Sequence, residues 1–220
     1  MHIGIILDGN RRFAKSKNQP SFKGHKEGAK RVGDLLNWCK EFDIKEITLY
    51  CFSIENFKRS KEEVDYLMDL FKVQFQKLRI DKNIKKNKIK INFIGDKNKL
   101  NKDLRELMLK IEKETKNNSN YNINFAIAYG GRQEIISAIS KLVKGKKKIT
   151  EENLKNCLWL KKDIDLIIRT GGEKRTSNFL PWQSTYSEWF FLDKMWPEFT
   201  KEDLQKILFE FQNRQRRFGK

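Results

Sequence analysis

The sequence predicts an α/β fold, a single domain with a central, mostly parallel six-stranded sheet flanked by helices. Six short apolar runs, rich in β-branched and aromatic residues, alternate with amphipathic segments of about ten or more residues. Strands joined by such long crossovers pair in parallel. No internal repeat, low-complexity segment or linker interrupts the 220 residues. We therefore expect residues 1–220 to form one domain.

The first strand is predicted over residues 3–7, where an apolar run breaks abruptly at Asp8. Segment 14–23 is polar and contains Pro20, which predicts a mobile loop. Five further strands are predicted at residues 46–52, 88–95, 121–129, 165–168 and 188–192. The third strand alternates charged and apolar residues, which favours a position near a sheet edge.

Helices are predicted wherever apolar residues recur every three or four positions. The predicted helices span residues 24–41, 62–78, 100–115, 134–143, 150–158 and 201–218. Thr150 is placed to cap the fifth of these helices. The second carries a stripe of large side chains, including Phe71 and Phe75. Such a stripe is normally core, and the alternative is one wall of a lipid-sized apolar tunnel between sheet and helices.

The composition favours a folded protein with anionic partners. The net charge is +18 and 35% of residues are charged, yet 16 Phe and 5 Trp argue against disorder. Candidate partners are nucleic acid, anionic lipid headgroups and phosphorylated small molecules. Lysines are scattered along the chain, with runs at 81–90 and 144–148, so most of them are expected to be solvated surface.

The location is predicted from the cysteines and from the hydropathy. Cys39, Cys51 and Cys157 are widely spaced and form no Cys-x-x-Cys pattern, which indicates reduced thiols in a cytoplasmic protein. Neither a signal peptide nor an apolar run of membrane-spanning length is apparent. Any contact with a membrane surface is therefore expected to be peripheral.

Polar residues follow four of the predicted strands, in blocks 8–12, 53–59, 130–132 and 169–177. Ligands of open parallel sheets bind beyond the carboxyl ends of the strands. Asp8, followed by a glycine turn and Arg12, suggests a metal-diphosphate site, and Asp8 with Glu188 offers the oxygen ligands that Mg²⁺ prefers. Arg169, Arg175 and Ser177 could donate to phosphate oxygens.

Each of these residues also has a structural interpretation. A single arginine is most often a solvated charge or a surface ion pair. Glu188 could equally be a cap or an ion-pair partner, and Asn56 could be a turn residue. His25 could donate to a phosphate or lie on the surface at a helix end. The P-loop, the dinucleotide fingerprint and the zincin motif are absent, and Ile6 replaces the second aspartate expected in aspartate-nucleophile phosphatases.

Five collinear blocks resemble the cis-prenyltransferases, most closely the bacterial members that make undecaprenyl diphosphate. The blocks are residues 5–15 (IILDGNRRFAK), 24–28 (GHKEG), 49–59 (LYCFSIENFKR), 129–132 (YGGR) and 168–183 (IRTGGEKRTSNFLPWQ). The resemblance implies Mg²⁺-dependent, repeated condensation of isopentenyl diphosphate onto farnesyl diphosphate, with each new double bond cis. The expected product is a long polyprenyl diphosphate, undecaprenyl diphosphate for the cell-wall lipid carrier.

The resemblance also implies a role for each matching residue. Asp8 would be the catalytic aspartate and a metal ligand, Glu188 the second metal ligand, and Asn56 would assist proton removal. The expected substrate-binding residues are Gly9, Asn10, Arg11, Arg12, Phe13, His25, Ser53, Ile54, Glu55, Phe57, Arg59, Arg169, Arg175, Thr176 and Ser177. Phe13 and Phe57 depart from the tryptophans usual in the bacterial enzymes.

A homodimer is expected, because the amino-terminal Asp-Gly-Asn block and the carboxy-terminal Arg-x-Gly block at 217–219 occur in one chain. The competing hypothesis is a basic nucleic-acid-binding module that uses surface lysines and aromatic residues. No nucleic-acid motif is present, and the aromatic residues fall in strands and helical stripes rather than beside basic clusters. We therefore expect no nucleic-acid partner.

Overall fold

One six-stranded sheet organises the molecule, in the order β3-β4-β2-β1-β5-β6. The computed structural model describes residues 1–214. The strands are β1 (His2–Ile6), β2 (Glu46–Ser53), β3 (Ile89–Ile94), β4 (Tyr121–Tyr129), β5 (Leu166–Arg169) and β6 (Glu188–Phe191). Every neighbouring pair is parallel, and β3 lies at an edge, which confirms both predictions.

Eight α-helices surround the sheet in the described part of the chain. They are α1 (Asn10–Ser16), α2 (Ser21–Glu41), α3 (Lys61–Ile80), α4 (Lys82–Lys86), α5 (Lys102–Thr115), α6 (Gly131–Lys144), α7 (Glu151–Cys157) and α8 (Lys201–Asn213). Short 3₁₀ turns occupy Ile54–Lys58, Lys97–Lys99 and Trp196–Glu198. Thr150 caps α7 as predicted. Residues 215–218 of the predicted last helix and the Arg-x-Gly block at 217–219 lie outside the described residues.

The predicted mobile loop at 14–23 is wrong. Residues up to Ser16 belong to α1, and α2 begins at Ser21, directly after Pro20. The tight link is possible because α1 packs closely on α2. A Cβ on Gly24 would lie 1.9 Å from the Asn10 carbonyl oxygen, so only glycine allows the approach.

Helices cover both faces of the sheet, as parallel sheets require. Apolar side chains of α2, α3, α5 and α8 form the main core against one face, with Phe75, Phe93 and Phe125 packed together. Leu160 and Ile164, before β5, and Phe179 and Leu180, after it, cover part of the other face, where Phe179 stacks on Tyr50. Cys39, Cys51 and Cys157 are unbridged. Among the described helices, none combines the length and apolarity needed to span a bilayer.

Candidate functional site

The carboxyl ends of β1 and β5 meet at the centre of the sheet. Ile6 of β1 lies opposite Arg169 of β5, so Asp8, two residues further on, reaches the same edge. Arg169 donates from Nη2 to Asp8 Oδ2 at 2.9 Å. The Arg169 side chain is only 3% exposed, so Asp8 is the carboxylate that balances a buried guanidinium. This pairing confirms that two of the predicted blocks converge.

Arg169 also holds the loop that follows β5. Its Nη1 donates to Ser177 Oγ at 2.7 Å and to the Arg175 carbonyl oxygen. Its Nε is buried and has no hydrogen-bond partner among the described residues. One guanidinium therefore fixes the end of β1 relative to the loop, and it retains an unused donor.

The backbone of this loop is strained. Gly171 and Gly172 have φ values of 88° and 77°, and Ser177, Asn178 and Leu180 have φ values of 50°, 62° and 50°. A left-handed conformation costs a residue with a side chain roughly 1 kcal/mol or more. The Tyr50 hydroxyl contributes to holding it, since it donates to the Ser177 carbonyl oxygen at 3.3 Å. Strain maintained in this way is typical of a binding loop.

The first turn of α1 lies beside Asp8. Gly9 adopts φ 107°, and a Cβ there would approach Met195 Cα to 2.9 Å, so the turn requires glycine. Asn10 begins the helix, and its amide Nδ2 donates to the Leu7 carbonyl oxygen. Arg12 pairs with Asp8 Oδ1 at 3.2 Å. The backbone N–H groups of a first turn lack intrahelical partners, which makes this end of α1 suited to an anion.

Glu63, in the first turn of α3, lies between two arginines and a histidine. Its carboxylate accepts from Arg59 at 3.0 Å, contacts His25 Nε2 at 3.3 Å and lies 3.8 Å from Arg11. Burial lowers the pKa of His25, and the hydrogen bond with Glu63 opposes this shift. Sequence reasoning missed Glu63. The i,i+4 spacing from Arg59 was the available signal, whereas the approach of His25 was not visible.

Asn56 has a structural role in this structure. Its Oδ1 accepts from the Ser53 backbone N–H at 3.0 Å, within a capping box at the start of the 3₁₀ turn. The turn interpretation is thereby confirmed. Ser53 and Asn56 nonetheless line the cavity described below, so the proton-removal role of Asn56 stays a prediction.

The block at 130–132 supports the loop rather than facing a ligand. The backbone N–H of Gly131 donates to the Asn178 carbonyl oxygen, and that of Arg132 donates to Asn178 Oδ1. Asn178 Nδ2 in turn donates to Glu55 at 3.2 Å. Asn178 therefore ties the blocks at 53–59 and 130–132 to the loop after β5, and no local pattern in the sequence singles it out.

Glu188 is not brought to this site within the chain. It begins β6 opposite Leu166, at the amino end of the sheet, whereas Asp8 lies beyond the carboxyl end of β1. Its carboxylate pairs with Arg214 at 2.7 Å. The predicted Asp8–Glu188 metal pair is therefore wrong for a single chain. In a parallel sheet, a residue that begins a strand and a residue that follows a strand lie at opposite ends of the strands.

A cavity of about 1160 Å³ extends from this site between the sheet, α2 and α3. Its polar end contains ten of the predicted site residues: Asp8, Asn10, His25, Ser53, Glu55, Asn56, Arg59, Arg169, Arg175 and Ser177. Its apolar part is lined by Val32, Leu36, Ile47, Leu67, Leu70, Phe71, Phe75, Leu78, Ile123 and Phe125. The stripe on α3 thus serves as core and as cavity wall together.

Seven of the predicted substrate-binding residues do not line the cavity. Arg12 lies 3.8 Å from Glu173, which also pairs with Arg175 of the cavity lining. Phe57 packs edge-on against Phe52 at 4.8 Å between ring centroids. The others, Gly9, Arg11, Phe13, Ile54 and Thr176, are not among the side chains that line the cavity.

Comparison with known proteins agrees with this geometry. A family model described as "Putative undecaprenyl diphosphate synthase" matches residues 6–219. Two relatives named tritrans,polycis-undecaprenyl-diphosphate synthase (geranylgeranyl-diphosphate specific) come from Thermoplasma volcanium and Methanocaldococcus jannaschii. The first is 48% identical and covers 100% of this chain and 88% of the relative. The second is 42% identical and covers 100% of this chain and 82% of the relative.

Two solved structures share the fold across the chain. A probable undecaprenyl diphosphate synthase from Campylobacter jejuni is 36% identical with a TM-score of 0.86, covering 100% of this chain and 98% of its own. Lavandulyl diphosphate synthase from Lavandula x intermedia, in complex with dimethylallyl diphosphate, is 32% identical with a TM-score of 0.89 and the same coverage. The family match, the relatives and the shared fold lead to one conclusion: this chain belongs to the cis-prenyltransferase family and is a prenyl transferase.

Proposed function

We propose that the protein adds isopentenyl diphosphate repeatedly to an allylic diphosphate and releases undecaprenyl diphosphate. The observation that carries the proposal is the paired Asp8 and Arg169 at the polar end of a long apolar cavity. Such a cavity accepts a growing hydrocarbon chain while its mouth holds two anionic headgroups. The archaeal relatives, which are named undecaprenyl-diphosphate synthases, support undecaprenyl length.

The two headgroups occupy different sides of Asp8 in this proposal. The allylic diphosphate binds the first turn of α1, with His25 and Arg59 as further donors beside it. Isopentenyl diphosphate binds the strained loop through Arg169, Arg175 and Ser177. Arginines stabilise the leaving diphosphate as the carbon–oxygen bond breaks, because they are aimed at the developing negative charge before the reaction begins.

The residues present fit a Mg²⁺ ion that arrives with its substrate. No group of three or more metal-ligating side chains occurs in the described part of the chain. Mg²⁺ commonly binds through one or two carboxylates together with substrate phosphates, and Asp8 provides one carboxylate at the mouth. When bound there, Mg²⁺ would neutralise diphosphate charge and so favour departure of the leaving group. Asp8 would hold the ion and Arg169 would keep the carboxylate oriented.

The primer is proposed to be geranylgeranyl diphosphate. The archaeal relatives, 42–48% identical, carry that specificity in their names. The farnesyl primer implied by the resemblance is not confirmed, and the cell-wall role and the homodimer stay predictions. Parallel reactions with the two primers, each with labelled isopentenyl diphosphate, should show the higher kcat/KM with geranylgeranyl diphosphate. Equal or better use of the farnesyl primer would contradict this specificity.

The proposed reaction itself is tested by mass spectrometry of the product. A long polyprenyl diphosphate should form with Mg²⁺ and disappear when a chelator is added. Asp103→Asn is a suitable control, because Asp103 forms an exposed ion pair with Lys72 on α3, away from the cavity mouth. Absence of elongation by folded, metal-supplied protein would refute the proposed function.

A further inference from the structure

The cavity has a second opening, at the amino end of the sheet. At that end its lining includes the exposed residues Lys40, Asp81 and Asn83 and the half-buried residues Tyr121 and Asn122. These residues lie at the end of α2, around α4 and at the start of β4. The cavity therefore runs along the strands from the polar site to a rim that meets solvent on the other side of the molecule.

A basic surface adjoins this second opening. We define the α4 surface as Ile80, Lys82, Lys85, Lys86 and Lys88. The four lysines are exposed, and none of them forms an ion pair among the described residues. Ile80 is 77% exposed, more than any other large apolar side chain of the described part. An exposed aliphatic residue thus stands among unneutralised positive charges.

The α4 surface is held by the cavity wall itself. Asp81 caps α4 by accepting from the Asn83 backbone N–H at 2.8 Å. Ile84, the buried residue of α4, belongs to the main core and lines the cavity. The lysines on either side of Ile84 therefore project from a fixed turn at the rim, rather than from a separate tail.

Two cationic side chains of α3, near the α4 surface, form ion pairs. Arg79 pairs with Glu114 of α5 at 2.8 Å, and Lys72 pairs with Asp103 of α5 at 2.7 Å. These two cations of α3 are thus each paired with an acidic side chain of α5, whereas Lys77, which lines the cavity, forms no ion pair among the described residues. The four unpaired lysines of the α4 surface lie beside the opening, which matches a negatively charged partner that lies against the rim.

The chemistry favours a bilayer over a nucleic acid. Lysines that flank an aliphatic side chain suit the boundary between headgroups and acyl chains, where the charged ends reach phosphate and the apolar side chain inserts. Binding of single-stranded nucleic acid uses aromatic faces for stacking. The aromatic residue at this opening, Tyr121, has Lys45 over its ring at 4.8 Å.

We propose that the α4 surface docks on an anionic lipid bilayer, so that the tail of a long product passes from the second opening into the membrane. The passage of the tail rests on the proposed function, whereas docking does not. The headgroup remains at Asp8 and Arg169 while the hydrocarbon advances along the strands. The membrane then removes the apolar chain from water as it emerges, which favours release.

Docking is tested by vesicle sedimentation with the full chain. Vesicles of phosphatidylcholine are compared with vesicles of equal parts phosphatidylcholine and phosphatidylglycerol. The variant carries Lys82→Gln, Lys85→Gln, Lys86→Gln and Lys88→Gln. The matched control replaces the exposed lysines at 144, 146, 147 and 148 by Gln, which removes the same charge from another surface. Circular dichroism checks that both variants fold.

We expect the wild type and the control to bind the anionic vesicles and the α4 variant to lose about a hundredfold or more in partitioning, since each lysine contributes about fivefold. Ile80→Ser should weaken binding by a smaller factor. Equal losses in both quadruple variants, equal binding to neutral vesicles, no binding by the wild type, or preferential binding of single-stranded RNA at the same salt concentration would each overturn the proposal.

An elongation assay in detergent separates this proposal from the proposed function. The α4 variant should elongate at the wild-type rate in detergent, because none of its replaced lysines lines the cavity. Anionic vesicles should speed product release by the wild type and not by the variant. If neither protein elongates, the proposed function fails, and the sedimentation result still decides whether the surface docks.

Discussion

The two ends of the sheet both bury charged side chains, but they differ in how completely those side chains are hydrogen-bonded. At the amino end, His2 Nε2 contacts Thr48 Oγ1 at 2.8 Å, Asn124 donates to Glu46 and Thr48, and Lys162 pairs with Glu46 at 2.7 Å. No buried side-chain atom of this network lacks a hydrogen-bond partner among the described residues.

The carboxyl end of the sheet leaves hydrogen-bonding capacity unused. Arg169 keeps a buried Nε without a described partner, and the loop that it holds contains residues at positive φ. The site also faces a large cavity, whereas the depression near His2 is smaller, at about 630 Å³. A network in which every buried polar group is hydrogen-bonded stabilises the fold, whereas an unpaired buried donor beside a cavity is available to a ligand. Charge and burial alone would not have separated the two ends.

The strongest test of this comparison is Asp8→Ala. We expect turnover to fall by about 10³-fold, because the carboxylate is proposed to hold the metal and orient Arg169. The measurement is single-turnover condensation with saturating substrates. Asp8→Asn keeps a hydrogen-bond acceptor for Arg169 and separates lost chemistry from lost stability. Wild-type turnover in either variant would show that the carboxyl end is not the reacting end.

Glu63→Gln should have an intermediate effect. Loss of the negative charge releases Arg59 and His25, so kcat/KM for the allylic substrate should drop by about ten- to a hundredfold. The KM for isopentenyl diphosphate should stay near its wild-type value, because the loop donors do not contact Glu63. An equal rise in both KM values would contradict the division of the mouth into two subsites.

The smallest effect is expected in the dependence of stability on pH, to which one histidine at each end of the sheet contributes. Burial lowers the pKa of both His2 and His25 below the usual 6.5, so the folded state binds fewer protons than the unfolded state. This stabilisation is complete above pH 6.5 and is lost as the pH falls through the folded-state pKa. The free energy of unfolding in urea should therefore decrease as the pH falls below 6.5.

Substitution separates the two histidines. His2→Gln should cost about 1–2 kcal/mol at neutral pH, should flatten part of the pH dependence and should leave elongation unchanged. His25→Gln should flatten the other part and reduce elongation, since His25 lies at the cavity mouth. A pH dependence of stability that both single variants retain in full would assign it to other groups.

Much of the fold followed from local patterns. All six strands lie within one residue of their predicted bounds, because each strand is an apolar run that ends at polar residues. The short helix α4 was missed, since its run of lysines carries one buried residue, Ile84. The loop expected at 14–23 was wrong because the contact of Gly24 with Asn10, which fixes α1 on α2, joins separate helices.

The sequence by itself determined the strands, their parallel pairing and the polar residues that follow them, because these depend on periodicity and on chain direction. Only the tertiary structure decided which strand ends share a site. The order of the strands places Asp8 beside Arg169, and the direction of β6 places Glu188 at the amino end of the strands, away from Asp8. The contacts of Glu63 with His25 and of Asn178 with Glu55 join distant segments. Such contacts follow from packing, which no local pattern encodes.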